Sequence, residues 1–194
     1  MKKCFIFLIA LAIVMCGCNH ESKKSPALSS SIDLNITTDW GSQALDYSTF
    51  QADNVKIAVI DRIGHIDAQG VEYYSVVDTV NRPVEHGSFV LEILRELVPT
   101  AEFVAINIAT SDGIIEPLSL AEGIQYAVDS GCHIINISLG SQTDYFEVEK
   151  KIDDAVDSQR VVVAACGNES KNALDYPAGY DKVISVMARN IDNI

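Results

Sequence analysis

Residues 133–140 read HIINISLG, and this short segment sets the architecture of the chain. The apolar, largely β-branched run from His133 to Ser138 is typical of a strand buried on both faces, and Gly140 follows its end. Amphipathic helical patterns flank it at residues 117–130 and 145–158. A buried strand between two helices predicts crossover units, in which successive strands run parallel.

Similar apolar runs predict four further strands, at Val55–Ile60, Glu102–Asn107, Val161–Ala165 and Lys182–Met187. The segment from His86 to Leu97 repeats apolar residues at helical spacing, so we expect a helix there. Signals are weak from Gly64 to Pro83, where we expect loop with one strand near Val71–Val77. The alternation predicts an α/β fold, a doubly wound, mostly parallel sheet with helices on both faces.

The composition indicates a folded domain and limits its partners. The chain has 194 residues, of which 48% are hydrophobic and 21% charged, as in globular proteins. Its net charge of −13 argues against nucleic acid as a partner, since phosphate binding needs a basic surface. The charge is most simply explained by solubility; a preference for basic peptide segments is the alternative.

The N-terminal residues resemble a bacterial lipoprotein signal. Lys2 and Lys3 precede an apolar run, Phe5–Met15, that is too short for a comfortable transmembrane span. Gly17 then precedes Cys18, which would become the lipid-modified first residue of the mature protein. We therefore expect an extracytoplasmic protein, lipid-anchored to a bacterial membrane; an ordinary cleaved signal is the alternative. The expected divisions are 1–18 signal, 19–54 tether and N-terminal arm, and 55–194 folded domain.

Two of the five cysteines lie in the predicted domain. Cys132 precedes one predicted strand and Cys166 ends another, so in a parallel sheet their sulfurs lie at opposite ends and we expect free thiols. The spacing of the cysteines shows no metal-ligand pattern, and no loop has the ligand spacing of a calcium site. We expect no cofactor.

Candidate catalytic residues follow the predicted strands. Asp61, Gly140 and Asn168 each come just after one, and sites in such sheets form at the carboxyl ends of strands. His86 opens a predicted helix, and an imidazole with a pKa near neutral suits a general base. Each has a plainer interpretation as a turn, loop or helix-start residue, and Asp67 is the nearest competitor to Asp61.

Taken together, the segments in which these residues lie resemble the subtilase family of serine peptidases. His86-Gly87-Ser88-Phe89-Val90-Leu91 resembles the family's His-Gly-Thr-His-Val-Ala, and Ser138-Leu139-Gly140 matches its Ser-Leu-Gly. Ala164-Ala165-Cys166-Gly167-Asn168-Glu169 is similar to Ala-Ala-Gly/Ala-Gly-Asn-Glu, and Tyr176-Pro177-Ala178 to Tyr-Pro-Ala. The departure is at Asp61-Arg62-Ile63-Gly64, where the family has Asp-Ser/Thr-Gly, so Arg62 could crowd the site or pair with a carboxylate.

The resemblance implies a subtilisin-like fold and a serine endopeptidase mechanism. In that mechanism Asp61 orients His86, His86 is the base and then the acid, and Asn168 stabilises the oxyanion. Ser138, Leu139 and Gly140 would pair with an extended peptide or protein substrate and lead to the pocket for the side chain before the cut bond. The family implies no catalytic metal; structural calcium occurs in it, without support from the residues here.

The nucleophile of the family, in Gly-Thr-Ser-Met-Ala, has no counterpart in the 194 residues. Ser185-Val186-Met187-Ala188 looks superficially similar but lies inside a predicted strand and lacks the Gly-Thr prefix. We therefore expect a chain truncated before the catalytic Ser segment, with the C-terminal part of the fold missing and no activity by itself.

Two other interpretations remain at this point. The chain could be a non-catalytic, membrane-anchored peptide-binding lipoprotein that keeps the Ser138–Gly140 edge. It could also be an unrelated surface-anchored α/β solute-binding protein, although that leaves the order of Asp61, His86 and Asn168 unexplained.

Overall fold

The computed structural model describes residues 52–78, 85–167 and 174–187. In chain order its elements are β1 (Lys56–Asp61), β2 (Val71–Ser75), α1 (His86–Leu97), β3 (Glu102–Asn107), α2 (Pro117–Asp129), β4 (Ile134–Ile137), α3 (Phe146–Asp157), β5 (Val161–Ala165) and β6 (Ile184–Val186). The expected strands and helices are therefore present, and the last predicted strand, Lys182–Met187, is shorter than the sequence pattern suggested.

The strands form one sheet in the order β2-β3-β1-β4-β5-β6, and every neighbouring pair is parallel. Strand β1 occupies the middle, with β3 on one side and β4 on the other. Parallel strands need crossover connections, and the helices supply them. The prediction of a doubly wound, mostly parallel α/β sheet is confirmed.

Alternate residues of the central strand point to opposite faces of the sheet, and each face has its own core. Ala58 and Ile60 pack with α2 and α3 on one face, where Ile124 and Ile152 are fully buried. Ile57 and Val59 pack with α1 on the other face. Because both faces are covered, β1 must be apolar along almost its whole length, and the polar Asp61 falls at its carboxyl end.

Among the described residues, no helix has both the length and the apolar character needed to cross a membrane. The predicted signal, which includes Cys18, and residues 19–51 of the predicted tether and arm lie outside the described ranges.

Candidate active site

Of the predicted site residues, Asp61, His86 and the segment Ser138–Gly140 lie within the described ranges, at the carboxyl edge of the sheet. Ile60 of β1 and Ile137 of β4 are paired in register, so Asp61 and Ser138 leave the sheet side by side. Helix α1 begins at the same edge with His86. The topology thus brings together residues that are 25 or more positions apart in the sequence.

Asp61 is almost completely buried at the end of β1, with 3% of its surface exposed. Its Oδ1 accepts a hydrogen bond from the Arg62 amide at 2.6 Å, and its Oδ2 lies 2.7 Å from Nδ1 of His86. Burial raises the pKa of the Asp61 carboxyl, while the hydrogen bond to His86 acts in the opposite direction. The Asp61 carboxyl is thus removed from water, bonded to one backbone amide and directed at one imidazole nitrogen.

His86 is the first residue of α1, and about a third of its side chain (32%) is exposed. Since Nδ1 faces a carboxylate oxygen, the neutral ring carries its proton on Nδ1 and keeps the lone pair on Nε2. A general base requires this arrangement: Nδ1 donates to a buried carboxylate, and the ring remains partly accessible to solvent.

Gly87 lets helix α1 approach the loop after β1. A Cβ at this position would overlap the Ile63 side chain and lie only 2.5 Å from Cβ of Asp61. The Gly87 amide donates to the Arg62 carbonyl at 3.0 Å, which joins the helix start to the same loop. The close packing expected of this glycine therefore sets the position of His86 relative to Asp61.

Arg62 stands where the subtilase pattern has a small residue, and it does not displace the Asp61–His86 contact. Its Nε lies 2.8 Å from a carboxylate oxygen of Glu85, the residue before α1. Of the two outcomes expected for Arg62, pairing with a carboxylate is the one observed. The ion pair adds a second tie between the loop after β1 and the start of α1.

Asn107 is a site residue that the sequence analysis missed. It ends β3 directly beside Asp61 and is fully buried. Its Oδ1 accepts from the amides of Ile63 and Ala109 at 3.1 and 3.3 Å. Its Nδ2 donates to Ser75 Oγ and to the Ala109 carbonyl at 3.0 and 3.1 Å. One side chain thus fixes the loop that follows Asp61 to the neighbouring strand.

A signal for Asn107 is visible in the sequence: it is the single polar residue after the apolar stretch FVAI of β3. A buried amide at the end of such a strand needs partners, but the sequence does not say which backbone groups it meets. The register of β3 with β1 and β2 supplies them.

Ser138, Leu139 and Gly140 leave β4 and become progressively exposed, with Gly140 at the surface. The buried Asn136 donates from Nδ2 to Ser138 Oγ at 3.0 Å. Beside this segment lies a cavity of about 170 Å³ that Leu139, α2 and α3 line with mostly apolar side chains, including Leu120 and Val148. An extended chain placed along Ser138–Gly140 could insert an apolar side chain there.

Asn168 lies outside the described residues, as does Cys18, so their expected roles stay predictions. Strand β5 ends at Ala165, and Gly167, which precedes Asn168, has a φ of 96°, in the left-handed region that favours glycine.

The two domain cysteines are free thiols, as expected. Cys132 is fully buried before β4, and burial raises the pKa of its thiol to about 11. Cys166 follows β5 at the opposite end of the sheet, and burial also raises the pKa of its thiol. Neither thiol is therefore activated as a nucleophile. Within the described ranges, no group of three or more His, Cys, Asp or Glu residues could hold a metal ion.

Comparison with known proteins connects this geometry to one family. The sequence profile of the subtilase family, Peptidase_S8, matches residues 79–193. Subtilisin E of Bacillus subtilis (strain 168) is 31% identical over 170 residues, which are 77% of this chain and 45% of that protein. A thermostable alkaline protease of Halalkalibacterium halodurans is 28% identical over 178 residues, covering 81% of this chain and 49% of the relative.

Solved structures show the same fold. The patellamide maturation protease PatA superposes with a TM-score of 0.61 at 27% identity, over 73% of this chain and 59% of that one. The chain spans about half the length of the curated subtilisin-like relatives described above. The family profile covers more than half of the 194 residues, and the relatives agree with it; the chain belongs to the subtilase family.

Proposed function

We propose that this chain carries the acid, the base and a substrate-binding segment, Ser138–Gly140, of a serine-type endopeptidase. The observation that carries the proposal is the 2.7 Å contact between His86 Nδ1 and the buried Asp61 Oδ2. Its place at the carboxyl edge of a subtilase sheet supports a catalytic role over a plain helix-start histidine.

In the proposed mechanism, His86 takes the proton of a serine hydroxyl on Nε2 as that hydroxyl attacks the scissile carbonyl. The ring becomes an imidazolium, which the Asp61 carboxylate stabilises through the Nδ1 proton. His86 then returns the proton to the leaving amine, and a water molecule repeats the cycle on the acyl-enzyme. Asn168 would donate a hydrogen bond to the oxyanion; this role rests on the sequence resemblance alone.

The substrate proposed is an extended peptide or an exposed protein segment. Ser138–Gly140 offers backbone along which such a segment could lie, and the apolar cavity beside Leu139 could receive one of its side chains. Neither feature depends on the nucleophile, so peptide binding and peptide cleavage can be tested separately.

A serine-reactive fluorophosphonate probe tests the chemistry. The 194 residues contain no serine in the family's Gly-Thr-Ser-Met-Ala pattern, so we expect no labelling of this chain alone. Sequencing the transcript through and beyond codon 194 in all three frames then asks whether that segment follows. If it does, the longer product should be labelled, and His86→Ala should abolish the labelling. Labelling of the longer product that survives His86→Ala would contradict this proposal, and serine-dependent labelling of the 194-residue chain would contradict the expected lack of a nucleophile.

The second candidate function is a non-catalytic peptide-binding lipoprotein. It is favoured by the segment Ser138–Gly140 and the apolar cavity beside it, which are formed by described residues without any nucleophile. Gly140→Val should abolish peptide binding, because even a Cβ at Gly140 would lie 2.9 Å from Cβ of Asp175 and would displace the segment Ser138–Gly140. A thermal melt establishes that the rest of the fold is retained. Thr143→Val, in the same loop, is the matched control and should bind normally. Equal binding by all three proteins would count against a role for this segment.

We further propose that the protein is extracytoplasmic and attached to a bacterial membrane through lipid on Cys18. The support is the signal-like sequence of residues 1–18. Metabolic labelling with a fatty acid should mark the wild-type protein and not Cys18→Ser. Labelling that survives this substitution would contradict the proposed anchor.

A further inference from the structure

Asp175 lies across the ends of two neighbouring strands, β4 and β5, where it fills the space left by two glycines. A Cβ at Gly140, after β4, would lie 2.9 Å from Cβ of Asp175. A Cβ at Gly167, after β5, would overlap the Asp175 carboxylate and lie 2.8 Å from its Cγ. Both glycines are exposed, so the half-buried carboxylate sits in a gap that solvent or a ligand can reach.

The backbone holds Asp175 firmly at this place. Its amide donates to the Cys166 carbonyl at 3.2 Å, which ties it to the end of β5. The next residue, Tyr176, exchanges two backbone hydrogen bonds with Ser141, of 2.7 and 2.9 Å, which ties the segment to the chain after β4. A side chain fixed between two strand ends is pre-organised for recognition, because little of its freedom is lost on binding.

No cation of the described residues lies within ion-pair distance of Asp175. The described lysines and arginines contact other groups: Lys56 with Glu72, Arg62 with Glu85, Arg95 with Glu92, Lys150 with Asp154, Lys151 with Gln125, Arg160 with the Ser158 carbonyl, and Lys182 with Asp153 and Asp157. A half-buried carboxylate that has no cation among the described residues is a candidate site for one supplied by a ligand.

The location of this carboxylate relates it to the substrate. Gly140 belongs to the segment along which an extended peptide would lie, and β4 is the immediate neighbour of β1, whose end carries Asp61. A side chain that points from such a peptide toward the gap between β4 and β5 meets the Asp175 carboxylate. The net charge of −13 adds a long-range attraction for basic segments.

We propose that Asp175 is a specificity-determining residue that binds a lysine or arginine side chain of the peptide held along Ser138–Gly140. The inference rests on the proposed function, since it needs a peptide in that position. The proposed substrate therefore has a basic residue that faces the gap between β4 and β5. It also has an apolar residue, which the neighbouring cavity favours.

The test is a fluorescence-anisotropy titration of the full chain at 150 mM salt. Two fluorescein-labelled octapeptides of alanine and leucine are used that differ only in a central Lys or Met, which have stems of similar length. We expect the Lys peptide to bind the wild-type chain about tenfold more tightly, the size of a typical charge-assisted hydrogen bond. Asp175→Asn should bring the ratio of the two affinities close to one.

Asp181→Asn is the matched control. It removes one negative charge from an exposed residue six positions further along and should leave the affinity ratio unchanged. If the ratio falls equally in both variants, net charge explains it and the inference is overturned. Thermal melts of each variant establish that the fold is retained, and the wild-type ratio tests the inference without any variant.

The outcomes separate this inference from the proposed function. Equal affinity of the wild-type chain for the two peptides overturns the role of Asp175 and leaves peptide binding in place. A preference for Lys that survives Asp175→Asn also overturns it. Failure to bind either peptide overturns the proposed substrate-binding segment, and this inference with it.

Discussion

We expect the buried Asp61 carboxyl to reduce the stability of the protein at neutral pH. Burial raises the pKa of its carboxyl, and the hydrogen bonds that favour the charged form do not fully offset this. A group whose pKa is higher in the folded state stabilises the fold below its unfolded pKa, and that stability is lost as the pH rises through the folded pKa. Burying a charged carboxylate therefore serves the site and not the fold.

Asp61→Asn should consequently raise the melting temperature at pH 8, which lies far above the pKa of an aspartate in the unfolded chain. The difference should shrink toward pH 3, where the aspartate is protonated in both states. The same variant should lower the pKa of His86, because the imidazolium loses its carboxylate partner; an NMR titration of the ring measures this. A variant that is less stable than wild type at pH 8 would show that the ion pair outweighs the burial.

We expect Asn107 to contribute more than any other side chain to holding the loop that follows Asp61 in place. Asn107→Ala leaves the buried amides of Ile63 and Ala109 without their acceptor and should cost about 3 kcal/mol of unfolding free energy in urea. Ser75→Ala removes one partner of Asn107 and is the control, with an expected cost of about 1 kcal/mol. If the two variants lose the same stability, Asn107 contributes no more than its contact with Ser75.

At the level of elements, the packing of α1 against the end of β1 decides whether acid and base meet. Gly87→Ala introduces a Cβ that would overlap side-chain atoms of Asp61 and Ile63, so the helix must shift. We expect a loss of about 2 kcal/mol in unfolding free energy and a His86 titration like that of Asp61→Asn. Glu96→Ala, on the exposed side of the same helix, should change stability by less than about 0.5 kcal/mol. If the His86 titration is unchanged in Gly87→Ala, the added Cβ does not move His86 away from Asp61.

Most elements were predictable from the sequence, and the physical reason is burial. A parallel sheet covered on both faces needs continuous apolar strands, and helices that pack on one side need apolar residues at helical spacing. The run at 133–140 and the helix from His86 to Leu97 satisfy these conditions locally. The weak stretch after Gly64 was harder because β2 is an edge strand whose residues are half-buried or exposed.

At the level of the whole molecule, the parallel sheet separates the two domain cysteines. Cys132 lies before β4 and Cys166 after β5, so they remain free thiols at opposite edges. We expect iodoacetamide at pH 8 to modify the half-buried Cys166 faster than the fully buried Cys132, whose pKa is about 11. Peptide mapping by mass spectrometry distinguishes them, and both should react in urea. Equal rates in the folded protein would contradict the burial of Cys132.

The sequence by itself determined the class of fold, the family resemblance and the order of Asp61, His86 and Asn168. These are properties of local pattern: apolar periodicity, helix starts and short motifs that leave each strand. They identify which residues face the carboxyl edge of the sheet, because a strand's end is fixed by where its apolar run ends.

Only the tertiary structure decided which groups touch. The 2.7 Å contact of His86 with Asp61, the four hydrogen bonds of Asn107 and the position of Asp175 between Gly140 and Gly167 all join segments distant in sequence. Such contacts follow from strand register and helix docking, which the packing of the whole core sets and no short stretch of sequence encodes.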